Sequence, residues 1–414
     1  MPTIPVNRLQ PGMFISLESL GWMEHPFLLN RFRIANAQQI QTLHQMGLGS
    51  VEWDPQRSTT KPLPEAPTSA VEEEADFTAG ALDALLDNKR DRVLRVRETR
   101  ESIARCARLF EQETGSIRQI LGELGPRPSE AHTQSRVLVD RLVGGLIRAS
   151  SVAVHLVNLK KSETGLPNHA MNVMVLSLLI GKSIGLSEEE MNHLGLGAML
   201  HDAGLPDIPA RVVRNPNRTT AEEQFYRTHI GRGLNAVAGM KQLPVTIKNI
   251  IACHHEHWDG SGYPNGLSGT KIPRLARIVA IANRYDNLCN PLDGKTALMP
   301  AEAVARMFKL EGAAYDPELL SAFVKALGVY PPGTFVMLSD GSYGLVIESS
   351  SRDLLRPLLM LYDASVPRNE ALLLDMKEAD EKITSTLPPK DIPREVIAYL
   401  APQGRVDFYL EGRG

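Results

Sequence analysis

The sequence has little cysteine, and its three cysteines form no pair at disulfide or metal-binding spacing. Cys106, Cys253 and Cys289 are odd in number and far apart in the chain. This pattern argues against a disulfide framework and against a structural zinc site built on thiolates. It suits a reducing compartment.

The sequence also has a small net charge and no long apolar run. Lys and Arg number 45 against 48 Asp and Glu, which gives a formal net charge of −3. Without a basic excess, we expect neither DNA nor RNA as a partner. No run reaches the roughly 18 apolar residues that a membrane helix needs, and the amino terminus has no basic region followed by an apolar stretch. We therefore expect a cytoplasmic chain without a membrane segment.

The patterns divide the 414 residues into five predicted segments. Residues 1–58 are a small α+β domain of unknown function, because short β-rich runs bracket one helical stretch. Residues 59–71 are a proline-containing linker, and 72–136 are a charged helical connector. Residues 137–329 form an all-α domain with no alternating strand pattern, and 330–414 form a β-rich carboxy-terminal appendage. The predicted fold is multi-domain and mainly α.

One stripe of mostly apolar positions runs along the helical connector, from Val96 to Leu124 at alternating spacings of four and three residues. A helix with this pattern has one apolar face that must be covered. The cover is either the same chain or a second copy in a homodimer. Gly115 and Gly122 weaken the helical pattern in both cases.

Histidine is concentrated in one part of the chain. Seven of the eleven histidines fall within fewer than ninety residues: His169, His193, His201, His229, His254, His255 and His257. An isolated His-Asp pair such as His201-Asp202 is more often a structural hydrogen-bonded pair, but here it has many imidazole companions. Imidazoles that share a carboxylate suit Mn, Fe, Ni or Zn, and the shared carboxylate can hold two ions close together. Without a thiolate ligand, the site is expected to be catalytic.

The histidine-rich segment resembles a known family. His254-His255 begin a run, HHEHWDGSGYPNGLSGTKIPRLARI, that contains the loop Gly262-Tyr263-Pro264. This run, with the upstream histidines, resembles the HD-GYP family, the branch of the HD metal-dependent phosphohydrolases that hydrolyses the bacterial second messenger cyclic di-GMP. The resemblance covers about Val137 to Leu327. A small domain of unknown function also precedes some HD-GYP domains.

The resemblance implies an all-α HD-type helical bundle that holds two divalent transition-metal ions, Fe or Mn before Ni or Zn. The implied ligands are His169, His201 and Asp202 for the first ion, with Asp202 bridging and Asn283 in a further ligand position, and His229, His254 and His255 for the second ion. His201 and Asp202 are the implied catalytic residues. A hydroxide that bridges the ions would open cyclic di-GMP at its 3'-5' phosphodiester to pGpG, with GMP as a further product. The expected substrate contacts are Arg274, Arg277, Lys295 and Tyr263.

The sequence departs from the family pattern at four positions. Leu205 stands where the family has a lysine, and Leu292 where it has an arginine, so we expect a changed grip on phosphate or guanine. Asn283 replaces an aspartate ligand and would ligate without charge. Gly165 replaces a glutamate that holds a third ion in some members, so two ions are expected.

These departures leave three functions open. The first is a cyclic di-GMP phosphodiesterase. The second is a degenerate module that binds cyclic di-GMP or a GGDEF-domain protein with little or no catalysis. The third is a phosphohydrolase that acts on another nucleotide. His193 and His257 are expected outside the metal site.

Overall fold

The computed structural model describes the chain except for residues 21–23, 28–29, 65–78, 149–150, 158–164, 294, 351–352, 365, 367–370, 380, 401–406 and 414. Main-chain packing divides the chain into two compact units, Met1–Glu101 and Ser102–Gly414. Over the described residues, no helix combines the length and apolarity needed to cross a membrane. The five predicted segment boundaries stay predictions.

The first 58 residues contain a small antiparallel sheet and one short α-helix, in the part that the structure describes. The elements are β1 Thr3–Pro5, β2 Phe14–Ser16, β3 Arg31–Arg33, α1 Ala37–Gln45 and β4 Ser50–Asp54. The strand order is β1-β4-β2-β3. Asn36 starts α1 by accepting a hydrogen bond from the backbone N–H of Gln39, as a good N-cap does. The strands and helix expected between residues 1 and 58 are present.

The remaining helices form most of the regular secondary structure. They are α2 Ala79–Glu123, α3 Pro128–Arg148, α4 Leu166–Ser183, α5 Glu188–Leu200, α6 Ala210–Val213, α7 Thr220–Arg227, α8 His229–Ala236, α9 Val245–Cys253, α10 Arg274–Cys289, α11 Pro300–Lys309, α12 Pro317–Leu327 and α13 Arg394–Leu400. The central helix is α4, whose residues from Asn168 to Gly181 are all buried. It packs against α5, α10 and α12. A helix that is apolar on all sides is buried in this way.

The second sheet joins distant parts of the chain. Its strands are β5 Ser151–Val157, β6 Phe335–Leu338, β7 Tyr343–Ser350, β8 Asp353–Leu361, β9 Leu373–Asp375, β10 Ile383–Thr386 and β11 Asp407–Arg413. The order is β10-β6-β7-β5-β11, and β8 pairs with both β7 and β9. In the antiparallel pair of β5 and β11, Asp407 is opposite Val157 and Arg413 is opposite Ser151.

Strand β5 corrects the expectation of an all-helical segment 137–329. The sequence of β5 is Ser-Val-Ala-Val-His-Leu-Val, a short alternating pattern that becomes a strand because its partners β7 and β11 come from the carboxy-terminal part. The carboxy-terminal extension is therefore more than an appendage. It shares a sheet with a strand that directly precedes α4 in the chain, and β11 also packs against α4.

The apolar stripe on α2 is buried by its own chain over its carboxy-terminal half. Phe110 and Ile117 are fully buried, and Leu124 is buried as well. Glu113 on the same helix pairs with Arg141 of α3. The side chain of Val96, at the other end of the stripe, lies outside the described residues.

Candidate metal centre

Side chains from the ends of several helices converge on one buried point. His169 lies in the first turn of α4, His201 and Asp202 follow α5, His229 begins α8, and His254 and His255 follow α9. Within the described residues they form two groups that share Asp202: one with His169 and His201, the other with His229, His254 and His255. The ligand atoms of each group lie within 4.8 Å of one another. The structure thus brings together the six predicted His and Asp ligands.

The Asp202 carboxylate lies between the two groups. Its Oδ2 is 3.5 Å from Nε2 of His169 and 3.4 Å from Nε2 of His201. Its Oδ1 is 3.4 Å from Nε2 of His229 and 3.5 Å from Nε2 of His254. Two ligand atoms that each lie about 2.1 Å from one ion are roughly 3.0 to 3.4 Å apart. The spacing within each group therefore fits the ligands of a divalent ion.

The other ring nitrogen of three histidines fixes the tautomer. In His201, His229 and His254, Nδ1 lies 2.7, 2.7 and 2.9 Å from the backbone carbonyl oxygen three residues earlier. A carbonyl oxygen only accepts, so Nδ1 must carry the proton. Each Nε2 then presents its lone pair to the centre, as a metal ligand must.

Several buried polar atoms at the centre have no hydrogen-bond partner, which indicates that these side chains are arranged to bind a metal ion. Nε2 has no hydrogen-bond partner in His169, His201, His229, His254 or His255, and Oδ1 of Asp202 also lacks one. A buried polar atom without a partner costs about 1 to 3 kcal/mol, and native proteins contain few. Five imidazole nitrogens and a carboxylate oxygen at one point are a donor set that fits divalent transition metals.

Burial keeps three of the imidazoles neutral. It lowers the pKa of His229 and of His254. It lowers the pKa of His255 well below the usual value, and the neighbouring rings of His254 and His229 add to this effect. Only a neutral imidazole can bind a metal, so these three groups are ready to bind at neutral pH.

His169 and Asp202 have the opposite electrostatic environment. Burial acts to lower the pKa of His169, but the carboxylates of Asp202 and Asp286 raise it to about 9. Burial acts to raise the pKa of Asp202, but the surrounding imidazoles hold it well below its usual range. Asp202 is therefore an anionic ligand, and His169 must release a proton when a cation binds.

The loop after His255 holds the imidazole pair in place. The ring of Tyr263 stacks on that of His255, with 4.6 Å between centroids, and the Arg227 guanidinium lies 4.4 Å from the Tyr263 centroid. A Cβ at Gly262 would lie 2.5 Å from the His255 carbonyl oxygen, so only glycine fits there. The Glu256 carboxylate accepts hydrogen bonds from the backbone N–H groups of Asn265 and Leu267, at 2.7 and 2.8 Å.

Two functional residues escape the sequence reasoning. Asp286 accepts a hydrogen bond from Nδ1 of His169 at 2.6 Å and another from Nδ2 of Asn172 at 2.8 Å. The first contact holds the ring of a predicted ligand, as outer carboxylates do in metal sites. The sequence contains only weak signals for these two residues: Asn172 lies one helical turn after His169, and Asp286 lies one helical turn after Asn283.

A cleft of about 970 Å³ opens beside the centre. Leu166 and Leu205 line it, each three residues from a predicted ligand, and so do Leu292, Arg214 and Lys295. Ligand sites commonly have this size. Leu205 and Leu292, which stand at two departures from the family pattern, add apolar surface to the lining, while Arg214 and Lys295 supply basic side chains.

The predicted basic contacts are divided between the cleft and other places. Lys295 lines the cleft, with Nζ 2.5 Å from Oδ2 of Asp293. The guanidinium of Arg277 pairs with Asp316 at 2.5 Å, and it is not among the residues lining the cleft. Arg274 is exposed at the start of α10 and is not in the lining either.

Asn283 lies on α10, buried, one turn before the carboxylate that holds His169. Its Oδ1 accepts a hydrogen bond from Nδ2 of Asn287 at 2.6 Å. Its role as a metal ligand stays a prediction. His257 is outside both groups, and its Nδ1 is 3.0 Å from Oγ of Ser261.

Comparison with family models identifies the chain. A model of the HD domain matches residues 149–319, which contain the whole metal centre and the Gly262-Tyr263-Pro264 loop. Residues 149–319 are therefore an HD domain. A model of a domain of unknown function, DUF3391, matches residues 2–133. The predicted family, including an amino-terminal domain of unknown function, is confirmed.

Two relatives of this chain carry the name cyclic di-GMP phosphodiesterase. A protein of Pseudomonas aeruginosa named cyclic di-GMP phosphodiesterase is 29% identical over 361 residues, which cover 87% of this chain and 84% of that protein. A cyclic di-GMP phosphodiesterase response regulator of Xanthomonas campestris is 29% identical over 260 residues, or 61% of this chain and 63% of that protein. A solved HDG"Y"P protein from Bdellovibrio bacteriovorus aligns with a TM-score of 0.45 and 17% identity, covering 78% of this chain and 97% of that chain.

Proposed function

We propose that this HD-GYP protein is a metal-dependent phosphodiesterase that hydrolyses cyclic di-GMP to pGpG, with GMP as a further product. The observation that carries the proposal is the arrangement around Asp202, where two buried imidazoles face each carboxylate oxygen. Two relatives that bear the name cyclic di-GMP phosphodiesterase support the substrate.

The metal centre in this proposal holds two divalent ions, Fe or Mn before Ni or Zn. Residues His169, His201 and Asp202 hold one ion, and His229, His254 and His255 hold the other with the same Asp202. When bound, such ions activate water for in-line attack and neutralise charge on the phosphodiester.

The chain's own residues orient and cover the site. Hydrogen bonds from Nδ1 of His201, His229 and His254 to the backbone keep each Nε2 aimed at the centre. Tyr263 covers His255 from the loop side. The substrate lies in the cleft, where Lys295 binds a phosphate.

Arg274 and Arg277 have a smaller part in this proposal. Arg277 is engaged with Asp316, and Arg274 lies twelve residues before Asp286, about 18 Å along the axis of α10 at a rise of 1.5 Å per residue. We assign substrate contact to Lys295 and Tyr263 first.

The test uses the full chain, purified without oxygen and analysed for metal. The protein is incubated with cyclic di-GMP, and the nucleotides are separated by chromatography. We expect pGpG from the wild type and none from Asp202→Ala. His193→Ala is the matched control, because His193 is on α5 but outside both ligand groups.

Two other outcomes would replace the proposal. Cyclic di-GMP that binds without turnover would identify the degenerate module, which the departures Leu205, Leu292 and Asn283 motivate. Hydrolysis of a different cyclic dinucleotide, with cyclic di-GMP untouched, would identify another substrate. The first is read from the same chromatogram combined with a binding measurement, and the second from parallel incubations with other cyclic dinucleotides.

A GGDEF-domain protein as partner, a homodimer through α2 and a cytoplasmic location complete the proposal. The half of the stripe that contains Phe110 and Ile117 is already covered, so the proposed dimer uses the earlier half of the stripe. Light scattering on the full chain tests it, and a monomer at micromolar concentration would exclude the dimer. The three buried cysteines, none of them in a disulfide, suit the cytoplasm.

A further inference from the structure

The carboxy-terminal strand reaches the metal centre through one buried amide. Nδ2 of Asn172 donates to Oδ1 of Asp286 at 2.8 Å and to Oδ1 of Asp407 at 2.9 Å. Asn172 and Asp286 are fully buried, and Asp407 is 2% exposed. Asp407 is the first residue of β11, 235 residues after Asn172. The two carboxylates are thus joined through one NH₂ group.

The strand also fixes which way this amide faces. Oδ1 of Asn172 accepts a hydrogen bond from the backbone N–H of Phe408 at 3.2 Å. If the amide were flipped, its NH₂ group would meet another donor, and its oxygen would face two carboxylates. Asp407 and Phe408 therefore select the orientation in which Asn172 donates to Asp286.

The contacts continue from Asp286 to the metal ligands. Oδ2 of Asp286 accepts from Nδ1 of His169 at 2.6 Å, and Nε2 of the same ring lies 3.5 Å from Oδ2 of Asp202. We propose that Asp407 is a positioning residue of the metal centre, because it holds Asn172 so that Asp286 keeps the His169 ring aligned. This inference rests on the metal centre of the proposed function.

Packing of the strand alone does not require a carboxylate here. The pairing of β11 with β5 runs from Asp407 to Arg413, and Phe408 and Leu410 supply buried apolar surface. A buried carboxylate is costly unless donors satisfy it. At Asp407 one such donor is the amide that also serves Asp286, which places the carboxylate where it affects a ligand.

The experiment measures Mn²⁺ affinity of the metal-free full chain by calorimetry. Outer-sphere partners of metal ligands typically affect metal affinity 10- to 100-fold, and we expect Asp407→Ala to weaken Mn²⁺ binding by about that factor. Asp407→Asn should stay within a few-fold of wild type, because its amide oxygen can still accept from Asn172. Leu410→Ala, on the same strand, is the control for packing and should leave Mn²⁺ affinity unchanged.

A double-mutant cycle tests whether the effect passes through Asn172. In an Asn172→Ala background, adding Asp407→Ala should cost no further affinity, because residues in one hydrogen-bond chain are not additive. Additive losses would overturn the proposed route. If Asp407→Ala does not fold, Asp407→Ser takes its place, since its hydroxyl is too short to reach the amide.

Wild-type affinity in Asp407→Ala, or equal losses in Asp407→Ala and Leu410→Ala, would overturn the proposal. Failure of the proposed function is a separate result. It would be seen as a wild-type chain that binds Mn²⁺ but leaves cyclic di-GMP intact, and the comparison of variants would still stand. A wild-type chain that binds no Mn²⁺ would overturn the metal centre and this inference together.

Discussion

At the residue scale, the proposed chemistry depends on a single carboxylate that is shared by both groups of predicted ligands. Asp202 lies between four imidazoles, two at each oxygen. Its adjacency to His201 in the sequence means that one turn at the end of α5 places both side chains in the centre. Gly204 lets this segment pack closely against α8, because a Cβ there would lie 2.0 Å from the carbonyl oxygen of His229.

The first prediction concerns this bridge. Asp202→Ala should remove metal occupancy at both positions and abolish hydrolysis, because it removes the only carboxylate within either ligand group of the described residues. His201→Ala should behave similarly. Metal analysis and product chromatography measure the two effects. An Asp202→Ala protein with wild-type metal content and turnover would contradict the two-ion centre.

The second prediction concerns Asn283. If its side chain is a ligand, Asn283→Asp adds a negative charge beside the first ion, and metal retention during dialysis against a chelator should become tighter. The effect on rate has no fixed sign, because an added anion also raises the pKa of bound water. Asn235→Asp is the matched control, because Asn235 is an exposed asparagine on α8 outside both ligand groups. Equal retention in wild type and Asn283→Asp would show that Asn283 is not a ligand.

At the element scale, the predicted metal ligands lie at the ends of helices, and ion pairs between side chains hold neighbouring segments together. The guanidinium of Arg284 on α10 forms two hydrogen bonds with the Glu311 carboxylate, at 2.8 and 2.6 Å. Arg306 of α11 donates to the same carboxylate at 2.8 Å. Glu311 therefore ties α10, which carries Asp286, to the segment that follows α11.

The third prediction is the pH dependence of this tie. The hydrogen bonds from Arg284, followed by those from Arg306, lower the pKa of Glu311 to about 2, against a tendency of burial to raise it. A lowered pKa in the folded state stabilises the protein above the unfolded value of 4.5, and that stability is lost as pH falls toward 2. Glu311→Gln should cost about 1 to 2 kcal/mol at pH 7.

Chemical denaturation at several pH values measures this difference. The difference in free energy of unfolding between Glu311→Gln and wild type should become smaller below pH 4.5. Glu130→Gln is the control, because Glu130 is in an exposed pair with Arg127 and should have little effect. A gap that is constant down to pH 3 would indicate that the charge of Glu311 is not the cause.

At the scale of the whole molecule, the metal centre joins segments that are far apart in the chain. Its predicted ligands come from α4, the end of α5, α8 and the end of α9, and its outer contacts reach α10 and β11. An ion held by these ligands would therefore bind the folded chain and not the unfolded one. Such binding stabilises by mass action.

The fourth prediction is that Mn²⁺ raises the unfolding temperature. At free metal one hundred times the Kd, linkage adds about 2.7 kcal/mol to the free energy of unfolding. Scanning calorimetry with Mn²⁺ and with a chelator should show the difference in wild type and not in Asp202→Ala. Identical unfolding temperatures in wild type would contradict a metal site that forms only on folding.

The sequence by itself determined the family, the mainly helical architecture and the identity of the residues that converge. This was possible because His201-Asp202 and His254-His255 are adjacent pairs at helix ends, so local structure already directs each pair to one place. The Gly262-Tyr263-Pro264 loop is local as well. Short-range spacing carries this information without knowledge of the fold.

Only the tertiary structure decided which residues position the predicted metal ligands and which part of the chain covers the apolar stripe on α2. Asp286 is 117 residues from His169, and Asp407 is 235 residues from Asn172. Strand β5 was not predicted from the sequence, because a seven-residue strand has a weak pattern of its own. It is stabilised by pairing with β7 and β11. Contacts between such distant segments depend on how helices and strands pack, and no local spacing encodes them.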